Sequence, residues 1–173
     1  LWAEVMRNVP NSRFLMVRWT DSSTLRCHHL IQEFSRHGIE AERLYFMRNE
    51  PAKHLPCYHH IDLSLDTFPL TGGNTTADAL WMGVPVVTLR GPSYHQRISH
   101  AILNHAGLGD LSCATKEEYV RTAVALANDS DRRRRLRSAL RQQLLDSDMF
   151  RRDRFVPAFQ ETMMGLVEKH GLR

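Results

Sequence analysis

The chain of 173 residues has a mass of 20.0 kDa, a size that suits one domain. Hydrophobic residues make up 42% of it and charged residues 24%, which is typical of a globular protein and excludes a disordered or collagen-like chain. Lys and Arg outnumber Asp and Glu by 23 to 19. The resulting net charge of +4 is mild, and we expect no nucleic-acid partner.

The chain shows neither a membrane span nor a signal-peptide pattern. Its longest weakly polar run, residues 79–89, is much shorter than the roughly 20 residues that a span requires. The first residues have no basic start and no long apolar stretch. Because the chain does not begin with Met, we expect it to be a fragment of a longer protein. Its three cysteines, Cys27, Cys57 and Cys113, lack metal-ligand spacing, which favours a reducing, cytoplasmic location and predicts no metal site.

Short apolar runs alternate with helical periodicity along most of the chain. In chain order we predict a strand at 13–18, a helix at 22–36, a strand at 43–47, a short helix at 51–58, a strand at 61–65, a helix at 75–82, a strand at 84–89, a helix at 94–105, a weak extended piece at 110–113, and helices at 115–127, 130–145 and 151–170. This order predicts an α/β fold with a Rossmann-like, doubly wound parallel sheet. We expect residues 1–113 to form this core and residues 114–173 to add carboxyl-terminal helices to the same domain.

Arginine is concentrated in the predicted helix 130–145. A run of four arginines at 132–135 is followed by Arg137 and Arg141, and Leu136, Leu140 and Leu144 recur at four-residue spacing. This spacing predicts an amphipathic helix whose basic face is solvated, in preference to a surface for nucleic acid or anionic lipid.

A glycine turn, Gly72-Gly73, joins the strand at 61–65 to the next helix and allows the backbone to approach a ligand. Three good N-cap types follow, Asn74, Thr75 and Thr76, and they bring hydroxyls and free N–H groups to a positive helix end. Such an end binds anions and suits a pyrophosphate. Asp78 lies one turn further, where its carboxylate can accept hydrogen bonds from a ribose. The alternative is a capped helix after a glycine turn, with Asp78 interacting with the helix dipole.

Two other loops follow strand ends. Gly91 frees the backbone after the strand at 84–89, and Arg97 either faces the same cleft, pairs with a carboxylate or is a surface residue. The loop after the strand at 43–47 contains Arg48 and Asn49 and leads to His54. A single histidine at such a position is either a ligand contact or a structural residue.

The run from Asp62 to Leu89, DLSLDTFPLTGGNTTADALWMGVPVVTL, resembles the catalytic region of the O-linked N-acetylglucosaminyltransferase family. This family includes bacterial and plant SPINDLY-type proteins that follow tetratricopeptide repeats. The similarity continues through Gly91 and Arg97 and, more weakly, over residues 54–58 and 13–18.

The resemblance implies an inverting, metal-independent GT-B glycosyltransferase, of which this chain would be the nucleotide-holding carboxyl-terminal lobe. Such an enzyme moves a sugar such as N-acetylglucosamine from a UDP-sugar to a Ser or Thr of a protein acceptor and needs no cofactor. Its other implied partners are the amino-terminal lobe and the tetratricopeptide region of the parent chain.

The family also implies roles for particular residues. Arg48 and Asn49 would contact uracil through their backbone and His54 would lie beside the base, while Asn74 and Thr75, with Thr76 adjacent, would bind the diphosphate and Asp78 the ribose. Gly91 and Arg97 would support the neighbouring loop. No catalytic residue of the family falls within this chain.

The chain departs from the family pattern at three positions. Gly73 replaces a His, Pro51 a ribose-side Lys and Cys57 a base-contacting Arg. The Lys that neutralises the leaving pyrophosphate lies outside this chain, so we expect the isolated chain to be inactive and, at most, a weak nucleotide binder. Two alternatives stay open: another GT-B enzyme, with a GDP-fucose donor or a lipid or cell-wall acceptor, and a non-catalytic interaction domain of the same fold.

Overall fold

The computed structural model describes residues 1–18, 24–48 and 54–171. The helices and strands in this part of the chain are α1 (Trp2–Asn8), β1 (Phe14–Arg18), α2 (Thr24–Arg36), β2 (Leu44–Arg48), β3 (Ser64–Leu65), α3 (Asn74–Trp81), β4 (Val86–Leu89), α4 (Ile98–His105), β5 (Ser112–Cys113), α5 (Lys116–Asn128), α6 (Ser130–Asp146) and α7 (Arg152–His170). A 3₁₀ helix, Leu55–His60, precedes β3 and is called the 55–60 turn below. Strands and helices alternate as far as β5, as the sequence predicts.

All strand pairings in the described residues are parallel. β1 pairs with β2 from Phe14–Leu44 onwards, while β4 lies between β3 and β5 in a second ladder. Parallel strands place their carboxyl ends at one edge, so the loops that follow β3 and β4 meet there. The predicted α/β class is confirmed, although the described strands form a two-stranded and a three-stranded sheet where one continuous sheet was expected. A cavity lined by Leu15 and Val17 of β1 and by Leu65 of β3 lies between the two sheets.

The main core is built around β4, whose four residues are all buried. A strand covered on both faces reads as a continuous apolar run, which explains why Val86-Val87 stands out in the sequence. Helices on both sides supply the surrounding side chains, including Leu80, Leu103, Tyr119 and Leu140, each at most 1% exposed. α5 and α6 therefore share the core of the sheet.

Three helical segments differ from the predictions. α1 was not predicted, because seven residues are too few for a clear periodic pattern; Val5 and Met6 are nevertheless buried in it. The predicted helix 94–105 is divided into a 3₁₀ helix, Tyr94–Gln96, and α4. The predicted helix at 51–58 is observed only as the 55–60 turn, since residues 51–53 lie outside the described part.

Four of the six arginines of α6 are exposed, as expected for a solvated basic face, and several of the six also bond to neighbouring elements. Arg132 pairs with Asp110, and Arg133 donates to the carbonyls at the end of α5. Arg137 and Arg141 donate to carbonyls at the end of α3. Hydrogen bonds to carbonyls do not neutralise a guanidinium, so these contacts hold α6 against α3 and α5 while the helix keeps its positive charge.

α7 differs from the other helices because none of its residues is buried. Phe155, Phe159, Met163 and Leu166 follow each other at helical spacing and are each between 45% and 65% exposed. Among the helices in the described part of the chain, none combines the length and apolarity needed to cross a bilayer.

The three cysteines are unpaired and differ in burial, which gives a testable order of reactivity. Burial raises the pKa of the Cys57 and Cys113 thiols above their usual value, so less of the reactive thiolate forms at a given pH. Cys27 on α2 is only half-buried. At pH 8 we expect a maleimide to label Cys27 first, with the other two reacting roughly tenfold or more slowly. Loss of the fast phase in Cys27→Ser is the control, and a fast phase that survives this change would contradict the assignment.

Candidate functional site

Asp66, immediately after β3, organises the loop that leads to α3. Its Oδ1 accepts hydrogen bonds from the backbone N–H groups of Thr67 and Gly72, each at 2.9 Å, and its Oδ2 accepts the Thr88 hydroxyl at 2.6 Å. Its carbonyl oxygen accepts the Trp2 indole N–H and the Tyr119 hydroxyl, each at 3.3 Å. Sequence analysis missed this residue, although an Asp at a strand end before a glycine turn is a recognisable signal.

No side chain caps the first turn of α3. Its N-cap is Gly73, and the first backbone hydrogen bond into this residue comes from Ala77 at 3.1 Å. Within the described residues, the N–H groups of Asn74, Thr75 and Thr76 have no hydrogen-bond partner. The capped-helix alternative therefore lacks its cap, and the helix presents free donors and the positive end of its dipole.

The two threonines of this turn have different surroundings. Thr75 is exposed and lines the neighbouring cavity, whereas Thr76 is only 2% exposed and its hydroxyl lies 2.8 Å from Ser99 Oγ. Ser99 in turn donates to the Gly72 carbonyl at 2.9 Å. The Thr76 hydroxyl is bonded within the protein, so its backbone N–H is the group left open for an anion, and binding of a ligand by Thr76 stays a prediction.

His54 and Asp78 form a pair across two elements. His54 Nε2 lies 2.9 Å from Asp78 Oδ2, and the two side chains are 19% and 36% exposed. The His54 ring also makes an edge contact with Tyr58, with 5.6 Å between ring centroids. The second oxygen of Asp78, Oδ1, makes no hydrogen bond to another described residue, so it stays open as an acceptor.

Tyr58 fastens the 55–60 turn to the first turn of α3. Its hydroxyl donates to the Thr75 carbonyl at 3.2 Å. Burial, with smaller contributions from Cys57 and Asp78, raises the pKa of Tyr58 to about 12, so the phenol stays protonated and remains a donor at neutral pH. The Cys57 thiol donates to the His54 carbonyl at 2.8 Å, which adds a second bond within the turn.

A cavity of about 260 Å³ lies where these elements meet. Its walls include His54, Tyr58, Asp66, Gly72 and Thr75. Of the other predicted residues, Thr76 also lines it, whereas Gly73, Asn74 and Asp78 do not. Asp78 is connected to the cavity through its contact with His54.

The cavity between β1 and β3 has a larger neighbour. This second cavity, of about 450 Å³, lies on the other side of the loop after β3, and Asp66 and Thr67 line both. Trp2, Tyr119 and Lys116 contribute to its wall. The Asp66 loop therefore separates two openings at the same edge of the sheet.

The remaining predicted residues lie away from the cavity or outside the described part. Arg48 is the last residue of β2, but its side chain and the whole of Asn49 fall outside the described residues. Gly91 lies against the Gln96 side chain, where a Cβ would overlap Oε1, and its N–H donates to the Gln96 carbonyl at 3.2 Å. Arg97 is exposed at the N-cap of α4. Burial lowers the pKa of His100, and the charges of Arg90 and Arg97 lower it further.

The described residues contain no cluster of side chains suited to a metal ion. Across residues 1–18, 24–48 and 54–171, no group of three or more His, Cys, Asp or Glu side chains lies close enough together to hold a metal ion.

A parallel α/β core with an open helix start at the carboxyl edge of its sheet is the architecture of a Rossmann-like lobe. The glycosyl transferase family 41 model matches residues 1–159, and the chain belongs to this family. The resemblance stated from the sequence is thereby confirmed.

Two relatives illustrate the match. The chain is 33% identical over 153 residues to the probable UDP-N-acetylglucosamine–peptide N-acetylglucosaminyltransferase SPINDLY of Hordeum vulgare, an alignment that covers 85% of this chain and 16% of that protein. It is 31% identical over 153 residues to the UDP-N-acetylglucosamine–peptide N-acetylglucosaminyltransferase of Caenorhabditis elegans, covering 87% of this chain and 13% of the relative.

A solved structure agrees with these matches. The K341M mutant of Thermobaculum terrenum O-GlcNAc transferase superposes with a TM-score of 0.87 at 32% identity, covering 94% of this chain and 31% of that one. This agreement confirms the predicted fold class, the Rossmann-like lobe of a GT-B protein. The chain thus spans less than a third of the length of each protein compared above.

Proposed function

We propose that this chain is the donor-binding lobe of an inverting, metal-independent glycosyltransferase that moves an N-acetylglucosamine-like sugar from a UDP-sugar to a protein Ser or Thr. The observation that carries the proposal is the open start of α3, where the N–H groups of Asn74, Thr75 and Thr76 have no hydrogen-bond partner among the residues that the structure describes. Membership of family 41 and the names of the relatives support the donor and the acceptor class.

The proposed reaction places a definite demand on this lobe. The acceptor hydroxyl attacks the anomeric carbon and loses its proton to a base outside this chain, the bond from that carbon to the diphosphate breaks, and UDP leaves with additional negative charge. Free N–H groups at a helix start, held in advance by the fold, stabilise such charge without having to reorganise. Asn74 and Thr75 serve the diphosphate, and Asp78 Oδ1 accepts from the ribose while His54 holds Oδ2.

The rest of the parent protein completes the proposed enzyme. We assign the amino-terminal lobe as the partner of this chain, with a tetratricopeptide region preceding it, and we expect the 173 residues alone to be inactive. The exposed apolar stripe of α7 supports a further packing partner, since large exposed apolar patches mark interaction surfaces. The three unpaired cysteines support a cytoplasmic location.

One observation favours a second donor class. The cavity wall beside His54 contains the Cys57 thiol where the family resemblance implies a base-contacting Arg. A smaller side chain leaves space for a larger base, so a GDP-sugar is the second candidate donor. Comparison of UDP, GDP and ADP by titration calorimetry distinguishes these donors.

The test of the site is a pair of substitutions measured by the same titration. We expect Asp78→Ala and Thr75→Ala each to weaken nucleotide binding by about 1–3 kcal/mol, the value of a desolvated hydrogen bond. Asp146→Ala and Thr162→Ala alter the same residue types on α6 and α7, away from the cavity, and should leave the affinity unchanged. Unchanged affinity in both site variants would remove the assignment.

A further inference from the structure

Arg137 of α6 connects the two elements that carry His54 and Asp78. Its Nη1 donates to the carbonyl oxygens of Met82 at 3.0 Å and Tyr58 at 3.2 Å, and its Nη2 donates to the Ile61 carbonyl. One guanidinium group therefore bonds both α3 and the 55–60 turn.

These carbonyls lie at the ends of helical segments. Met82 is the C-cap of α3, and Ile61 is the C-cap of the 55–60 turn. The last carbonyls of a helix lack intrahelical donors, and they attract a cation because the dipole is negative there. The planar fork of an arginine can satisfy several such acceptors at fixed geometry, which a lysine ammonium cannot reproduce.

The backbone of Arg137 is held as well as its side chain. A Cβ added at Gly83 would lie 2.5 Å from the Arg137 carbonyl oxygen and 3.1 Å from its Cα. α6 therefore packs against the end of α3 at backbone distance, and the guanidinium projects from a fixed point.

We propose that Arg137 is a positioning residue for the nucleoside: it holds the 55–60 turn against α3 and so sets the separation of His54 and Asp78. This inference rests on the proposed function, because it assigns the pair to nucleoside binding. Arg137 does not line the cavity, so its effect on a ligand passes through the 55–60 turn.

Arg141 provides a matched control on the same helix. Its Nε donates to the Trp81 carbonyl at 3.2 Å, and its guanidinium lies 5.0 Å from the centroid of the Trp81 ring. It thus bonds the same end of α3 but makes no hydrogen bond to the 55–60 turn. Loss of Arg141 weakens the contact between α3 and α6 without releasing the turn.

The experiment compares Arg137→Met, Arg137→Lys and Arg141→Met in the 173-residue chain, by UDP calorimetry and thermal unfolding. We expect Arg137→Met to raise the Kd for UDP about tenfold, as loss of one well-placed hydrogen bond would. Arg141→Met should change the Kd less than about twofold while still lowering the Tm. Arg137→Lys should restore part of the affinity. An unchanged Kd in Arg137→Met, or equal losses in both Met variants, overturns the proposal.

A second measurement separates this proposal from the proposed function. The Ile61 amide donates to the Tyr58 carbonyl at 3.2 Å, so its hydrogen exchange reports on the 55–60 turn without any ligand. We expect Arg137→Met to accelerate exchange at Ile61 and Arg141→Met to leave it unchanged. If the unaltered chain binds neither UDP nor GDP, the nucleoside assignment fails. An unchanged Ile61 rate in Arg137→Met overturns the role of Arg137 in holding the turn.

Discussion

We expect Asp66→Ala to lower the free energy of unfolding by about 3 kcal/mol and to reduce nucleotide binding strongly. The change removes a carboxylate that accepts three hydrogen bonds, from Thr67, Gly72 and Thr88. Hydrogen bonds to a charged group contribute about 1.5–3 kcal/mol each, and partial exposure reduces their sum here. The freed Gly72 amide no longer holds the glycine turn, so the start of α3 loses its position at the cavity.

Urea denaturation measures this loss of unfolding free energy, and two further variants serve as controls. Asp62→Ala removes an exposed carboxylate four residues earlier that makes no hydrogen bond or ion pair in the described structure, and we expect little change. Asp66→Asn keeps an acceptor for the two amides, and the Thr88 hydroxyl can turn to accept from its side-chain amide, so its loss should be intermediate. A stability of Asp66→Ala equal to that of Asp62→Ala would contradict this role.

Gly83→Ala should lower the free energy of unfolding by about 2–4 kcal/mol. Gly83 has φ +78°, where a side chain costs about 1 kcal/mol, and the added methyl also meets the Arg137 backbone at 2.5 Å. Backbone cannot retract as the end of a side chain can, so this overlap adds about 1–3 kcal/mol. The predicted result follows from the close packing of α6 on the end of α3.

Gly38→Ala separates the two causes. Gly38 has a similar φ of +76°, but a Cβ there meets nothing within 4 Å. We expect this variant to lose only about 1 kcal/mol, the cost of the backbone conformation alone. Thermal or urea unfolding of both proteins gives the difference, and equal losses would show that the contact with Arg137 contributes nothing.

These results bear on how the site is assembled. Helix α3 with its candidate anion-binding end is held by Asp66 at the glycine turn, by the Tyr58 hydroxyl of the 55–60 turn at its first turn, and by α6 at its carboxyl end. Each support comes from a different part of the chain. Among these supports Asp66 and the 55–60 turn line the cavity, whereas Arg137 does not, so a variant at Arg137 is expected to alter binding without removing a group of the cavity wall.

Local sequence patterns predicted most of the secondary structure. The predicted helices 115–127 and 130–145 correspond to α5 and α6, because apolar residues at helical spacing face the core and each helix has a capping side chain, Thr115 or Asp129. The buried strand β4 was predicted as an apolar run. The short helix α1 was missed because its pattern covers too few residues.

The sequence by itself determined the α/β order, the glycine turn before α3 and the resemblance to family 41, since each depends on residues that are neighbours along the chain. Only the tertiary structure decided that the Thr76 hydroxyl faces Ser99, that Asp66 holds Gly72 and that Arg137 bonds two distant elements. Such pairings join residues separated by as many as 79 positions. A hydroxyl or guanidinium has several possible partners, and packing of the whole fold selects among them.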